Sequence, residues 1–119
     1  MPPDQIDIES LLPLPEATTH ILIALKAEPL HGYAIIQDIA ARTNGEMRLS
    51  AGTLYRSIAR MVEQGLITEI EKRRTVLDDE RRRYYRITPF GMAVARAEMR
   101  RLAPLVRLAR ATGLTPDTA

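Results

Sequence analysis

Apolar residues recur at steps of three and four from Glu16 to Ala27, where Ala17, Ile21, Leu22, Ala24 and Leu25 form one stripe before Pro29 ends the run. This pattern predicts a first helix with one buried side. A second helix is predicted over Gly32 to Thr43, with Ile35, Ile36 and Ile39 facing inward. The pair Asn44-Gly45, which tolerates left-handed backbone, stops it. His31 and Tyr33 stand at its start, where a histidine usually caps or packs.

The stretch LSAGTLYRSIARMVEQGLI, Leu49 to Ile67, carries two faces on one predicted helix. Leu54, Ile58, Met61 and Val62 make a packing stripe, and Thr53, Arg56, Ser57 and Arg60 repeat at the same spacing on another side. Ser50 is a good N-cap for this third helix. Gly52 is a weak helix former that lets a bulky partner come close to the backbone. A terminus beginning Ser-Ala-Gly-Thr offers open amides and small side chains, which suits phosphate. Gly65 closes the helix.

LITEIEKRR and RRRYYRI then read as two strands around the polar segment TVLDDE, forming an antiparallel hairpin with a charged tip. Alternation puts Tyr85 and Ile87 on one face, Tyr84 and Arg86 on the other. Thr88-Pro89 marks the start of a fourth helix, with threonine as cap and proline in the first turn. Met92, Ala95, Met99, Leu102, Val106 and Ala109 give it the seam of a helix that packs lengthwise on another. We expect this seam to form a homodimer interface; packing back onto its own domain is the alternative. Pro104 predicts a kink or restart near Ala103.

The expected organisation is an arm over 1–15, a compact domain over 16–88, a dimerisation helix over 89–112 and a flexible tail over 113–119. Leu11, Leu12 and Leu14 suggest that the end of the arm docks. The fold class is therefore mostly α with a small β-hairpin. Three helices followed by a two-stranded wing is the layout of a winged helix-turn-helix domain.

A chain of 119 residues, 45% apolar and 27% charged, fits one soluble folded domain with a modest core. The net charge is only +2, but it is unevenly placed. Met1 to Pro15 holds Asp4, Asp7 and Glu9 with no Lys or Arg. Lys72, Arg73, Arg74, Arg81, Arg82, Arg83 and Arg86 face only Asp78, Asp79 and Glu80 between Lys72 and Arg86. That asymmetry points to a polyanion, although a solvated charged hairpin would show the same run. With no cysteine, disulfides and thiolate metal sites are excluded. His20 and His31 have no partner spacing for zinc, so no metal or other cofactor is expected. No nucleophile, acid pair or glycine-rich phosphate cradle supports catalysis, and an enzyme is not expected. No basic leader precedes an apolar core and no apolar run approaches a membrane span, so the expected location is the cytoplasm, without a membrane partner.

Three segments, HGYAIIQDI, LSAGTLYRSIARMVEQGLI and DDERRRYYRITPFG, stand in the order and near the spacing seen in PadR-like transcriptional regulators. The chain resembles that family from about Leu14 to Leu102, and its short C-terminal region is similar to the compact branch with a single terminal helix. The resemblance implies a DNA-binding repressor of bacteria or archaea, dimeric through its last helix, with the third helix in the major groove and the wing on the flanking backbone. By position, it carries recognition-helix contacts onto Ser50, Gly52, Thr53, Leu54, Tyr55 and Arg56, and the basic wing onto Arg73, Arg74 and Arg81 to Arg83. A small-molecule effector is compatible with it, of unknown identity.

The residues themselves agree with that mechanism. Arginine can bond a guanine edge through two parallel donors, so Arg56 and Arg60 are candidates for base reading or phosphate clamping, with Arg56 nearer the helix start. Tyr55 borders the apolar stripe; its ring can pack while its hydroxyl reaches a phosphate, or it can be purely structural. The wing arginines would add sequence-independent affinity that falls with salt. A winged-helix module that binds protein instead of specific DNA is the alternative, since this architecture also serves in assemblies.

Overall fold

The computed structural model describes residues 7–71 and 83–115. A short 3-10 turn, Ile8–Leu11, leads into α1 (Glu16–Leu25), β1 (Leu30–His31), α2 (Gly32–Arg42), α3 (Ala51–Glu63), β2 (Ile67–Glu71), β3 (Arg83–Ile87) and α4 (Pro89–Ala111). The four helices and the hairpin strands fall where the apolar spacing predicts them, with α1 ending two residues early.

Local chemistry sets the boundaries. Ser50 Oγ accepts from the Thr53 N–H at 3.1 Å, and Thr88 Oγ1 accepts from the Gly91 N–H at 2.9 Å. Each such cap contributes about 1 kcal/mol to its helix. Gly65, at φ +77°, turns the chain out of α3 while the Leu66 N–H reaches back to the Met61 carbonyl at 2.9 Å. Left-handed backbone there suits glycine, and the back-bond satisfies a carbonyl at the helix end. Asn44 (φ 53°) does the same after α2, with the Gly45 N–H bonded to the Ala40 carbonyl at 2.7 Å.

One core joins these elements. Ile21, Leu22 and Leu25 from α1, Ile35 and Ile39 from α2, and Leu54, Ile58 and Met61 from α3 are all buried, together with Leu66, Ile67, Tyr85 and Val94. Burial of one such aliphatic side chain contributes roughly 1.5–3 kcal/mol. Leu11, Leu12 and Leu14 pack against this core, so the arm docks at its end as expected. Val62, assigned to the packing stripe of α3, is instead 41% exposed; it follows Met61 by one position and so lies at the edge of the stripe.

The sheet has three strands, ordered β1-β3-β2, where the sequence predicts two. β1 is two residues long and pairs antiparallel with β3, Leu30 opposite Tyr85 and His31 opposite Tyr84. The hairpin register sets Ile67 opposite Ile87 and Glu71 opposite Arg83. The added strand explains why Tyr84, placed by alternation on the face with Arg86, is only 3% exposed. The His31 and Tyr84 rings meet edge to face with centroids 5.4 Å apart.

α4 runs as one helix through Pro104, so the predicted restart near Ala103 does not occur. Proline removes one backbone bond there, but Arg100 and Pro104 are exposed, and water can satisfy the freed carbonyl. The helix also has an intradomain partner that its sequence did not disclose. Gly91, Val94 and Glu98 are buried, and α4 packs on α1 and on the 3-10 turn.

Candidate nucleic-acid interface

α3 presents its two faces as predicted, with the exception of Val62. Leu54, Ile58 and Met61 are buried, which fixes the helix by its inner side. Ser50, Gly52, Tyr55, Arg56 and Arg60 are exposed, and Thr53 and Ser57 are half-buried. Leu54, assigned a contact role by resemblance, is completely buried. It belongs to the core, because its position repeats with Ile58 and Met61.

The Arg56 guanidinium folds back along the helix, with Nη2 at 3.4 Å from Thr53 Oγ1 and Nη1 over the hydrogen face of Gly52. Neither Arg56 nor Arg60 forms an ion pair among the described residues. The Thr53 hydroxyl in turn lies 3.1 Å from Ser50 Oγ. Ser50, Gly52, Thr53 and Arg56 thus form one cluster of polar donors around the start of α3, carrying a positive charge at the end where the helix dipole also favours anions.

Tyr55 is 52% exposed, and its hydroxyl end rests directly on Gly32 at the start of α2. α2 is capped there by His31, whose Nδ1 accepts from the Ala34 N–H at 3.2 Å. That acceptor role gives the histidine the structural function expected of its position. Tyr33, next to Gly32, is 65% exposed, and the sequence pattern did not single it out for the outer surface.

On the wing, Arg83 Nε lies 3.5 Å from Glu69 Oε1, with both side chains largely in solvent. Such an exposed pair contributes little and leaves the guanidinium available. Arg86 is exposed on the same strand. Arg73, Arg74, Arg81 and Arg82, and with them the tip of the hairpin, lie outside the described residues. Tyr85 joins wing to core: burial raises its phenol above the ordinary tyrosine value, reinforced by Glu69 and Tyr55 and opposed by Arg83. It remains a neutral packing group.

Met92, Ala95 and Met99 from the seam of α4 line a groove of about 410 Å³ whose other wall is α1, through Thr19, Leu22 and Ile23. Lys26, Arg96 and Arg100 also border it. Leu102 is half-buried. Further along, Leu105, Val106 and Leu108 are between 43% and 62% exposed. The C-terminal half of α4 therefore carries unburied apolar side chains beside an apolar groove.

The sequence model described as the Transcriptional regulator PadR-like family matches residues 21–97. Transcriptional regulator Rv3488 from Mycobacterium tuberculosis is 33% identical over 88 residues, covering 74% of this chain and 77% of that protein. Among solved structures, a transcriptional regulator from Clostridium thermocellum superposes with a TM-score of 0.69 at 26% identity, covering 79% of this chain and 86% of that one. Bacillus subtilis PadR, solved in complex with operator DNA, superposes with a TM-score of 0.62 at 18% identity. That likeness is one of fold, and it covers 71% of this chain and 47% of the Bacillus protein.

Proposed function

This chain belongs to the PadR-like family of transcriptional regulators, and from that premise we propose that it is a homodimeric repressor binding a pseudo-palindromic operator in double-stranded DNA. α3 enters the major groove. Arg56 reads base edges from the helix start, and Arg60, one turn on, reads a base or clamps a phosphate. Ser50, Gly52 and Thr53 set the amide-rich terminus against a phosphate, and Tyr55 offers its hydroxyl to the backbone beside it. The wing arginines, Arg73, Arg74 and Arg81 to Arg83, hold the flanking backbone without reading sequence. The operator complex of the Bacillus relative, which shares this fold, supports the choice of ligand.

Residues 16–88 form the DNA-binding unit on this reading, and 89–112 the dimerisation helix. The seam Met92, Ala95, Met99, Leu102 and Val106 meets a second copy about a two-fold axis, which repeats α3 at the spacing of two half-sites. The exposed Leu105, Val106 and Leu108 support that assignment, since a helix half with no core of its own gains by pairing. Repression follows from occupancy of the promoter by such a dimer.

The observation that carries the reading is the exposure of Arg56 and Arg60 on a helix whose other face is buried, with no carboxylate paired to either among the described residues. The test is a gel-shift salt titration on duplex from upstream of its own gene and on random duplex. Arg56→Ala should abolish the preference between the two, while Arg73→Ala with Arg74→Ala should weaken binding to both alike. Equal losses for all three changes on both duplexes would refute the division of labour, and no preference in the wild-type protein would refute specific binding.

A further inference from the structure

Thr18 and Glu98 are the two buried polar side chains among the described residues, and Glu98 is 2% exposed. A buried carboxylate is expensive unless both oxygens are satisfied, and an aliphatic residue of similar volume would often serve stability as well or better. Here both oxygens are used. Oε2 accepts from the Leu14 backbone N–H at 2.8 Å, and Oε1 accepts from Arg101 Nε at 2.6 Å. The first bond joins α4 to the last residues of the N-terminal segment, across 84 positions of sequence.

That segment is a strap. Asp7 caps the Ile8–Leu11 turn by accepting from the Glu9 N–H at 3.1 Å. Ile8, Leu11, Leu12 and Leu14 pack on the core, and the turn lies against α4. Past Leu102 the helix is without that support: residues 103–108 are all exposed. Glu98 therefore sits at the last point where the domain grips α4.

We propose that Glu98 is a positioning residue for operator binding: it fastens the strap to α4 and fixes the direction in which the free half of the helix leaves the domain. The proposal rests on the dimeric reading above. From Glu98 to Ala111 the helix extends roughly 20 Å, so a 10° tilt about Glu98 moves its end by about 3 Å. In a two-fold dimer held through α4, each subunit contributes that tilt, and the separation of the two α3 helices changes accordingly. Glu98 thus sets half-site spacing without touching DNA.

The chain has no cysteine, so one nitroxide label at Glu63→Cys, on the exposed end of α3, reports the α3-to-α3 distance in the full-length dimer. The wild-type distribution should be narrow. Glu98→Gln keeps the volume but presents only one acceptor oxygen, which cannot serve Leu14 and Arg101 as the carboxylate does. It should shift the distance or at least double its width, and weaken binding about tenfold to a duplex selected by the wild-type protein from random sequence. Light scattering should still show a dimer. Val94→Ala, a loss of core packing one turn away, should lower stability and leave the distance alone. An unchanged distance and affinity in Glu98→Gln, or equal broadening in Val94→Ala, overturns the proposal. If Glu98→Gln does not fold, Arg101→Gln removes one of the two bonds and decides by the same readout. A wild-type chain with no inter-label distance would overturn the dimeric reading itself, and this proposal with it.

Discussion

The carbonyl oxygen of Leu66 lies against the face of Gly91 that a side chain would occupy, nearer than a β-carbon tolerates. Neither group can retreat. The Leu66 carbonyl accepts from the Thr88 N–H at 3.1 Å, with the Thr88 hydroxyl also within 3.1 Å, and the Leu66 side chain is completely buried. Gly91→Ala gains up to about 1 kcal/mol of helix propensity. The collision with backbone outweighs it, because α4 must part from the junction of α3 and β2. We expect a loss of about 3 kcal/mol, read as a lower urea midpoint; an unchanged midpoint would show that the junction yields.

Gly32 meets a softer obstacle. A β-carbon there would press on the Tyr55 hydroxyl, the far end of a half-exposed ring that can swing outward. The helix gain of alanine and the lost contact nearly cancel, so Gly32→Ala should change stability by less than about 1 kcal/mol. Its consequence belongs to binding: Tyr55 is pushed from its seat beside Arg56, and operator affinity should fall about tenfold, equivalent to about 1.4 kcal/mol. Thermal melts and fluorescence anisotropy on one preparation separate the two effects. Full affinity in the variant would make Tyr55 a structural residue.

The contrast between these glycines mirrors what the sequence disclosed. Helices α1 to α4 were legible because each carries a stripe at helical spacing and a residue that starts or stops it, such as Ser50, Gly65 or Thr88-Pro89. The outward position of Arg56 and Arg60 followed from the same spacing. β1 was not legible: Leu30 and His31 have no local periodicity, and their strand exists through pairing with Tyr84 and Tyr85, more than fifty residues away. Alternation sets Tyr84 on the face with Arg86, as the unbroken register has it, but its burial against His31 of β1 was not readable from β3 alone. Glu98 was hidden because a charged residue counts as surface in any polarity pattern, yet it continues the buried series Gly91 and Val94 at helical spacing, with Arg101 three residues on. An acid on a core stripe with a base one turn away is the signal that would have found it.

Acid should expose the same pair. The Arg101 hydrogen bond holds the Glu98 carboxyl below its ordinary value, helped by the Leu14 N–H, while burial opposes the shift. A carboxyl depressed in the folded state stabilises the fold at pH values above its unfolded value, about 4.3, and that contribution is lost as pH falls toward the folded value. The urea midpoint of the wild-type protein should therefore drop on acidification below about pH 4.3 more steeply than that of Glu98→Gln, which has no proton to take up there. Parallel pH profiles for the two proteins would show that Glu98 does not supply the linkage.

The proposed dimerisation through α4 gives the last prediction. Met99 is 42% exposed and borders the groove against α1, and Leu102 lies one turn along the same seam. Neither contributes to the fully buried core, so charges there should leave the monomer folded while making pairing of two helices unfavourable, because each carboxylate would lose its water in an apolar contact. Met99→Glu with Leu102→Glu should give a monomer by light scattering with an unaltered far-UV spectrum. Binding to a palindromic duplex should then fall toward that of a single half-site, since the two domains no longer engage as one unit. A dimer of unchanged mass would move the interface to another face and remove the seam from the proposed mechanism.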